Sequence, residues 1–232
     1  MTDFEIAVRY APILHFDRAE TIPLKAVGYT VFRETGESRS FPRRTVQVPE
    51  GAVCTIEYAL FWLYDSQHMY DLEHIWVTAD AMGTVLSAAG SFHGKVLNLL
   101  PELPGCLEPE NGHVQAFIQP GKHAVLAAGA LTRLFPEWRT ACTEAGGPVL
   151  IGNPFSARWA PDGKDLFTPT AEDDANSCRY LRETLSFEPT LDFSDGWIIP
   201  EEMMRPWEAL YKKIPHWIME ECQRLKTLYM DQ

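Results

Sequence analysis

The chain has 232 residues, with 20 Lys and Arg against 32 Asp and Glu, a formal net charge of −12. At 46% hydrophobic residues it is too apolar for a disordered chain, and it is long enough for one domain with a sizeable core. Its only adjacent basic pairs are Arg43-Arg44 and Lys212-Lys213, which argues against a partner made mainly of phosphate backbone, so no nucleic acid is expected.

Met1 to Tyr10 lacks the basic start and apolar run of a secretory signal. No stretch reaches the ~18 apolar residues of a transmembrane helix. Cys54, Cys106, Cys142, Cys178 and Cys222 are odd in number, widely spaced and without a CxxC. They read as small apolar residues in a reducing compartment, and the expected location is cytoplasmic.

The first two-thirds read mainly as strands. Residues 26–32 are β-branched and aromatic, and residues 53–64 are apolar on both faces, as a central strand would be. Residues 72–79 follow after a short polar segment, which predicts an antiparallel hairpin. Residues 84–88 and 113–119 complete a sheet-rich half. The Ala- and Leu-rich run from His123 to Ala145 predicts a helix ending at Gly146-Gly147. Residues 152–174 read as irregular loop, with Glu172-Asp173-Asp174 as a solvated acidic face. Residues 180–184 suit one helical turn. A last helix begins after Pro200, is interrupted at Pro206 and Pro215, and is best from His216 to Tyr229. One domain, 1–232, is expected, with a β-rich core to residue 125 and a helical and irregular cap over 126–232.

The chemistry is densest from Tyr64 to His74. Alternate residues of a strand share a face, so Asp71 and Glu73 point the same way. His68 sits in the turn, and Asp65 ends the preceding strand. Asp65, His68, Asp71 and Glu73 therefore converge at one end of the hairpin, an oxygen-rich set suited to Mg²⁺, Ca²⁺ or Mn²⁺. His74 faces the other way, beside Trp76. His93 and His123 follow predicted strands in glycine-rich settings. With Glu73 or His74 they offer a second ligand set, suited to Zn²⁺ or Fe²⁺. His15, His113 and His216 read as structural, and Asp192 and Asp195 as a cap before Gly196-Trp197. No GxSxG, P-loop or GxGxxG in strand–helix context occurs.

The run Tyr58-Ala59-Leu60-Phe61-Trp62-Leu63-Tyr64-Asp65, followed by His68-Met69-Tyr70-Asp71-Leu72-Glu73-His74, resembles the signature of the necrosis-inducing (necrosis- and ethylene-inducing-like) proteins. That signature is a Tyr-Ala-x-aromatic strand ending in Asp, then Gly-His-Arg-His-Asp-Trp-Glu. Gln67, Tyr70 and Leu72 depart from it; His68, Asp71 and Glu73 match. The resemblance implies a metal held by Asp65, His68, Asp71 and Glu73. A vacuolar-protein-sorting-type family, with Asp-Trp-Glu-His, Ser-x-His and Gly-Ser-His-Ala elements, is also similar. Its counterparts here are Asp71 to His74, Ser91-Phe92-His93 and Gly121-Lys122-His123-Ala124. Together these cover about residues 10–125.

The expectation is a mainly β protein with α: an antiparallel β-sandwich core with helices packed around it, including a C-terminal helix. Its expected function is to bind a divalent cation and a polar small molecule, such as a sugar or phosphorylated head group. One alternative is a metal-dependent hydrolase with Glu73 or His74 as base and His93 and His123 as ligands or acids. The other is an interaction protein with a structural cation.

Overall fold

The computed structural model describes residues 1–41, 43–146 and 169–230. In chain order its strands are β1 (Ile13–His15), β2 (Ala26–Phe32), β3 (Gly36–Glu37), β4 (Thr45–Val46), β5 (Ala52–Tyr64) and β6 (Met69–Asp80). They continue with β7 (Val85–Phe92), β8 (Lys95–Asn98), β9 (Gln115–Ile118), β10 (Val125–Leu126), β11 (Gly196–Ile198) and β12 (Met204–Pro206). The α-helices are α1 (Asp3–Arg9), α2 (Thr140–Thr143), α3 (Ala171–Tyr180) and α4 (Trp207–Tyr229).

Two main sheets share one core. The larger has the order β12-β2-β5-β6-β7-β8, the smaller β10-β9-β1-β11, and β3 pairs with β4. Most pairings are antiparallel, as expected of a sandwich, but β1–β9 and β12–β2 are parallel. The central hairpin is long because β5 is buried almost throughout and carries β-branched and aromatic residues on both faces. Register places Tyr58 opposite Ile75, Leu60 opposite Glu73 and Trp62 opposite Asp71, so these share one face of the sheet. That face looks toward the smaller sheet. Gly90, opposite Ile75, is where the sheets meet: a Cβ there would lie 2.6 Å from Val125 Cγ1 and 3.1 Å from Leu99 Cδ2. Gly90→Ala is therefore expected to cost about 1–3 kcal/mol in thermal unfolding. An unchanged midpoint would mean that the layers part freely.

Over β12, β2 and β5 the other face of the sheet is covered by α4. Trp207, Leu210, Ile214, Ile218, Cys222 and Leu225 are buried at helical spacing, and Phe61 stacks on Trp217 at 5.8 Å. No helix among the described residues is long and apolar enough to cross a membrane.

Three sequence expectations are corrected here. The run from His123 to Ala145 is not one helix: β10 extends the sheet beside β9, and a 3-10 turn spans Gly129–Leu134 before the short α2. Gly129 and Pro136 interrupt the run, and burial of Ala124 to Ala128 outweighs their weak helix preference. The last helix does not restart at His216, because α4 runs through Pro215 from Pro206 as its N-cap. Burial of its apolar face outweighs the ~3 kcal/mol a proline costs inside a helix. Asp173 is not a solvated charge. It closes a capping box with Thr170 at the start of α3, and pairs with Lys226 of α4 at 3.0 Å while only 3% exposed.

Residues 147–168, most of the expected loop, lie outside the described residues. The region after 125 also contributes β10 and β11 to the smaller sheet and β12 to the larger one.

Candidate functional site

Asp71 and Glu73 lie on the inner face of β6, at the end of the sandwich where the β5–β6 hairpin turns. The turn is closed by Asp65, whose backbone N–H donates to His68 O at 2.9 Å. Asp65 Oδ1 accepts from the N–H groups of Gln67 and His68, each at 2.7 Å. An aspartate at a strand end bonding two residues onward is a usual way to hold a tight turn.

A second loop meets this one. Ser66 N–H donates to Gly121 O at 2.6 Å, and Gly121 N–H donates to Glu20 Oε2 at 2.7 Å. Lys122 and His123 turn back on Gln119 O, with Gly121 and His123 both at positive φ. This turn places Lys122 on Asp65 Oδ2 and, at 2.9 Å, on Gln67 Oε1. His123 comes to rest with Nδ1 2.9 Å from Asp71 Oδ2, its ring parallel to Trp62 at 4.4 Å. Trp62 stands opposite Asp71 in the ladder, so the indole that His123 stacks on lies beside its carboxylate partner.

The remaining groups complete the cluster. Ser91 donates to Glu73 Oε2, and its oxygen accepts from the His74 N–H at 2.6 Å. His93 Nε2 lies 3.1 Å from Gln119 Oε1. His68 Nδ1 donates to Tyr70 O at 2.8 Å, with Nε2 3.5 Å from Asp65 Oδ2. Tyr70, His93 and His123 all adopt positive φ, which non-glycine residues avoid unless surrounding structure holds them there. Their gathering around one cluster is a structural reason to treat it as a working site.

The electrostatics are unusual. Burial pushes the carboxyls of Asp71 and Glu73 well above their usual range. The charge of Asp65 adds to the effect on Asp71, and that of Asp71 to the effect on Glu73, against the opposing pull of Lys122. Burial lowers His123 and His93, so both imidazoles favour the neutral form. His123 Nε2 is buried without a hydrogen-bond partner. Solvent reaches the cluster past Gln67 and His93, which are exposed, and His68, which is partly so.

Asp65, His68, Asp71, Glu73, His93 and His123 are thus gathered at one end of the sandwich. His74 is not among them. It is fully buried on the opposite face of β6, with Nε2 3.0 Å from Ser40 Oγ. Ser40 donates to Glu57 at 2.6 Å, and Glu57 also accepts from Trp76 Nε1 at 2.7 Å. Burial and the nearby Arg44 charge lower His74 to about 3, so this imidazole stays neutral. His15 and His113 lie away from the cluster, with Nδ1 bonded to Phe193 O and Ala11 O respectively.

Lys122 is the residue that sequence reasoning missed. Its signal was present in Gly121-Lys122-His123-Ala124, where lysine stands in place of the serine of the similar Gly-Ser-His-Ala element.

The donor types suit a hard divalent cation, but their arrangement does not fit one. Both Asp65 oxygens are occupied by the turn and by Lys122, Asp71 is engaged by His123, and Glu73 by Ser91. The His93 and His123 rings are likewise turned to separate partners. Among the described residues no three His, Cys, Asp or Glu side chains stand so as to share one ion.

No family model and no curated protein matches this chain. Two solved structures of NLPPya, a necrosis- and ethylene-inducing-like protein, are distantly similar to it, each over 71% of this chain and 90% of its own. One is a triple-substitution variant, at 18% identity and a TM-score of 0.35. The other is a complex with mannosamine, at 17% identity and a TM-score of 0.35. The likeness is too distant to assign a residue or a ligand.

Proposed function

We propose that the hairpin end of the sandwich binds a small polyhydroxylated molecule, neutral or bearing an amine, with a sugar or amino sugar as the best-fitting class. The observation that carries this reading is the convergence of Asp71, Glu73, His93, Lys122 and His123 beside the solvent-reached hairpin turn. Carboxyl groups held partly protonated by burial both donate and accept, which suits vicinal hydroxyls. Three carboxyl groups against one ammonium disfavour a phosphorylated head group, whose own charge would meet Asp71 and Glu73.

Calorimetric titration with neutral, amino- and phosphorylated sugars tests the reading. His93→Asn keeps a residue that tolerates positive φ while removing the imidazole. It is expected to weaken binding of the best sugar about tenfold, the loss of one hydrogen bond. Preferential binding of the phosphorylated sugars would refute the charge argument.

A second reading, a hydrolase, is supported by one observation. Asp71 and His123 form a carboxylate–imidazole pair of the kind that orients a general base. Its Nε2 is buried without a partner, and no other reading uses it. Asp71→Asn with unchanged turnover on ester and glycoside substrates would remove it.

A further inference from the structure

We infer that Lys122 is the resident cation of this centre: its ammonium is the charge partner of Asp65 at the hairpin turn, and the protein works without a divalent ion there. The inference deepens the proposed function, because it concerns the same centre.

Asp65 is 2% exposed, and its carboxylate is ion-paired with Lys122. A buried carboxylate needs a compensating charge and hydrogen bonds to both oxygens. Oδ1 receives them from the two turn amides, and Oδ2 from Lys122. The lysine side chain is itself 13% exposed, so its charge is weakly screened. It also pulls against the burial effect at Asp71 and Glu73. One ammonium therefore acts on all three carboxyl groups of the hairpin.

The lysine is not a loose surface chain that settles there by chance. Gly121 O on Ser66, Gly121 N–H on Glu20 and the turn onto Gln119 O fix its backbone from three sides. Cys142 Sγ and Ser66 Cβ would lie 3.1 and 3.2 Å from a Cβ on Gly121, so the loop is packed as well as bonded. A divalent cation entering among Asp65, Asp71 and Glu73 would lie within a few ångströms of this ammonium. The two like charges would repel in a partly buried site. It would also compete with Lys122 for Asp65 Oδ2.

The test uses the full chain and reads metal without any sugar, so failure of sugar binding and failure of this assignment are distinguishable. Metal content is measured by mass spectrometry on protein purified without chelator. Mn²⁺ binding is then titrated into EDTA-treated wild type, Lys122→Met and Lys122→Arg. Wild type is expected to carry less than about 0.1 equivalent of divalent metal, and to keep its Tm in EDTA. Lys122→Met is expected to bind Mn²⁺ at least about tenfold more tightly than wild type, while Lys122→Arg does not.

Near one equivalent of metal in wild type overturns the inference, as does equal Mn²⁺ affinity in wild type and Lys122→Met. If Lys122→Met does not fold alone, refolding in Mn²⁺ supports the inference, and failure to refold in Mn²⁺ while Lys122→Arg folds unaided overturns it.

Discussion

Trp62→Ala is expected to lower unfolding free energy by about 3–5 kcal/mol and to abolish sugar binding together with it. Trp62 is fully buried near the hairpin end of the longest strand, and its removal leaves a cavity between the two sheets. The larger consequence is local. The indole is the flat surface against which His123 lies at 4.4 Å and 4°, and His123 holds Asp71. Without the stack, a residue at positive φ with a buried imidazole loses what keeps it in place. Trp62→Phe keeps part of the ring surface and is expected to cost less than half as much. Urea unfolding followed by circular dichroism measures both. A cost below about 1 kcal/mol for Trp62→Ala would mean that the stack is incidental.

Asp71→Asn and Glu73→Gln are expected to stabilise the protein at pH 8 by about 1–3 kcal/mol each, while weakening the ligand. The sign follows from burial. In the unfolded chain both carboxyls lose their protons near pH 4. In the folded protein, burial and mutual repulsion hold both well above that range. From about pH 4 upward to neutrality the folded state therefore binds more protons than the unfolded state. Stability falls as pH rises through that window.

Neutral amides carry no such penalty, so each variant should flatten the fall in stability between about pH 4 and about pH 8. Denaturant titrations at pH 5 and pH 8 read this directly. A variant less stable than wild type at pH 8 would show that the carboxyls are fully compensated as they stand. Stability gained together with affinity lost is the pattern of a site whose chemistry is held at a cost to the fold.

The hairpin and its chemistry were legible because strand alternation is a local rule. Asp71 and Glu73 had to share a face, and His74 had to leave it, once residues 69–80 were a strand. The clustering of Asp65 and His68 followed from the shortness of the turn. The joining of His93 and His123 to that cluster was legible only as a possibility, because it depends on the loops around residues 93 and 121–123 meeting the hairpin from elsewhere in the chain. Composition misled at residues 123–145, where a helix-favouring run lies against β9 and the strand interior. It misled again at Pro215, where burial of one helix face outweighs a broken backbone bond. Glu172-Asp173-Asp174 read as solvent because nothing nearby in sequence indicates that Lys226 returns to meet it.

By itself, then, the sequence determined a mainly β protein with a C-terminal helix, and a carboxyl-rich hairpin end with histidines to either side. These are consequences of periodicity and turn chemistry, which act over a few residues. Tertiary structure alone decided what the acidic centre is paired with. Lys122 lies 57 residues from Asp65, and its ammonium reaches the hairpin only because Gly121, Ser66 and Glu20 tie two loops together. A charge pair of that separation leaves no pattern in a sequence. Its geometry sets an ammonium of the chain itself against the Asp65 carboxylate.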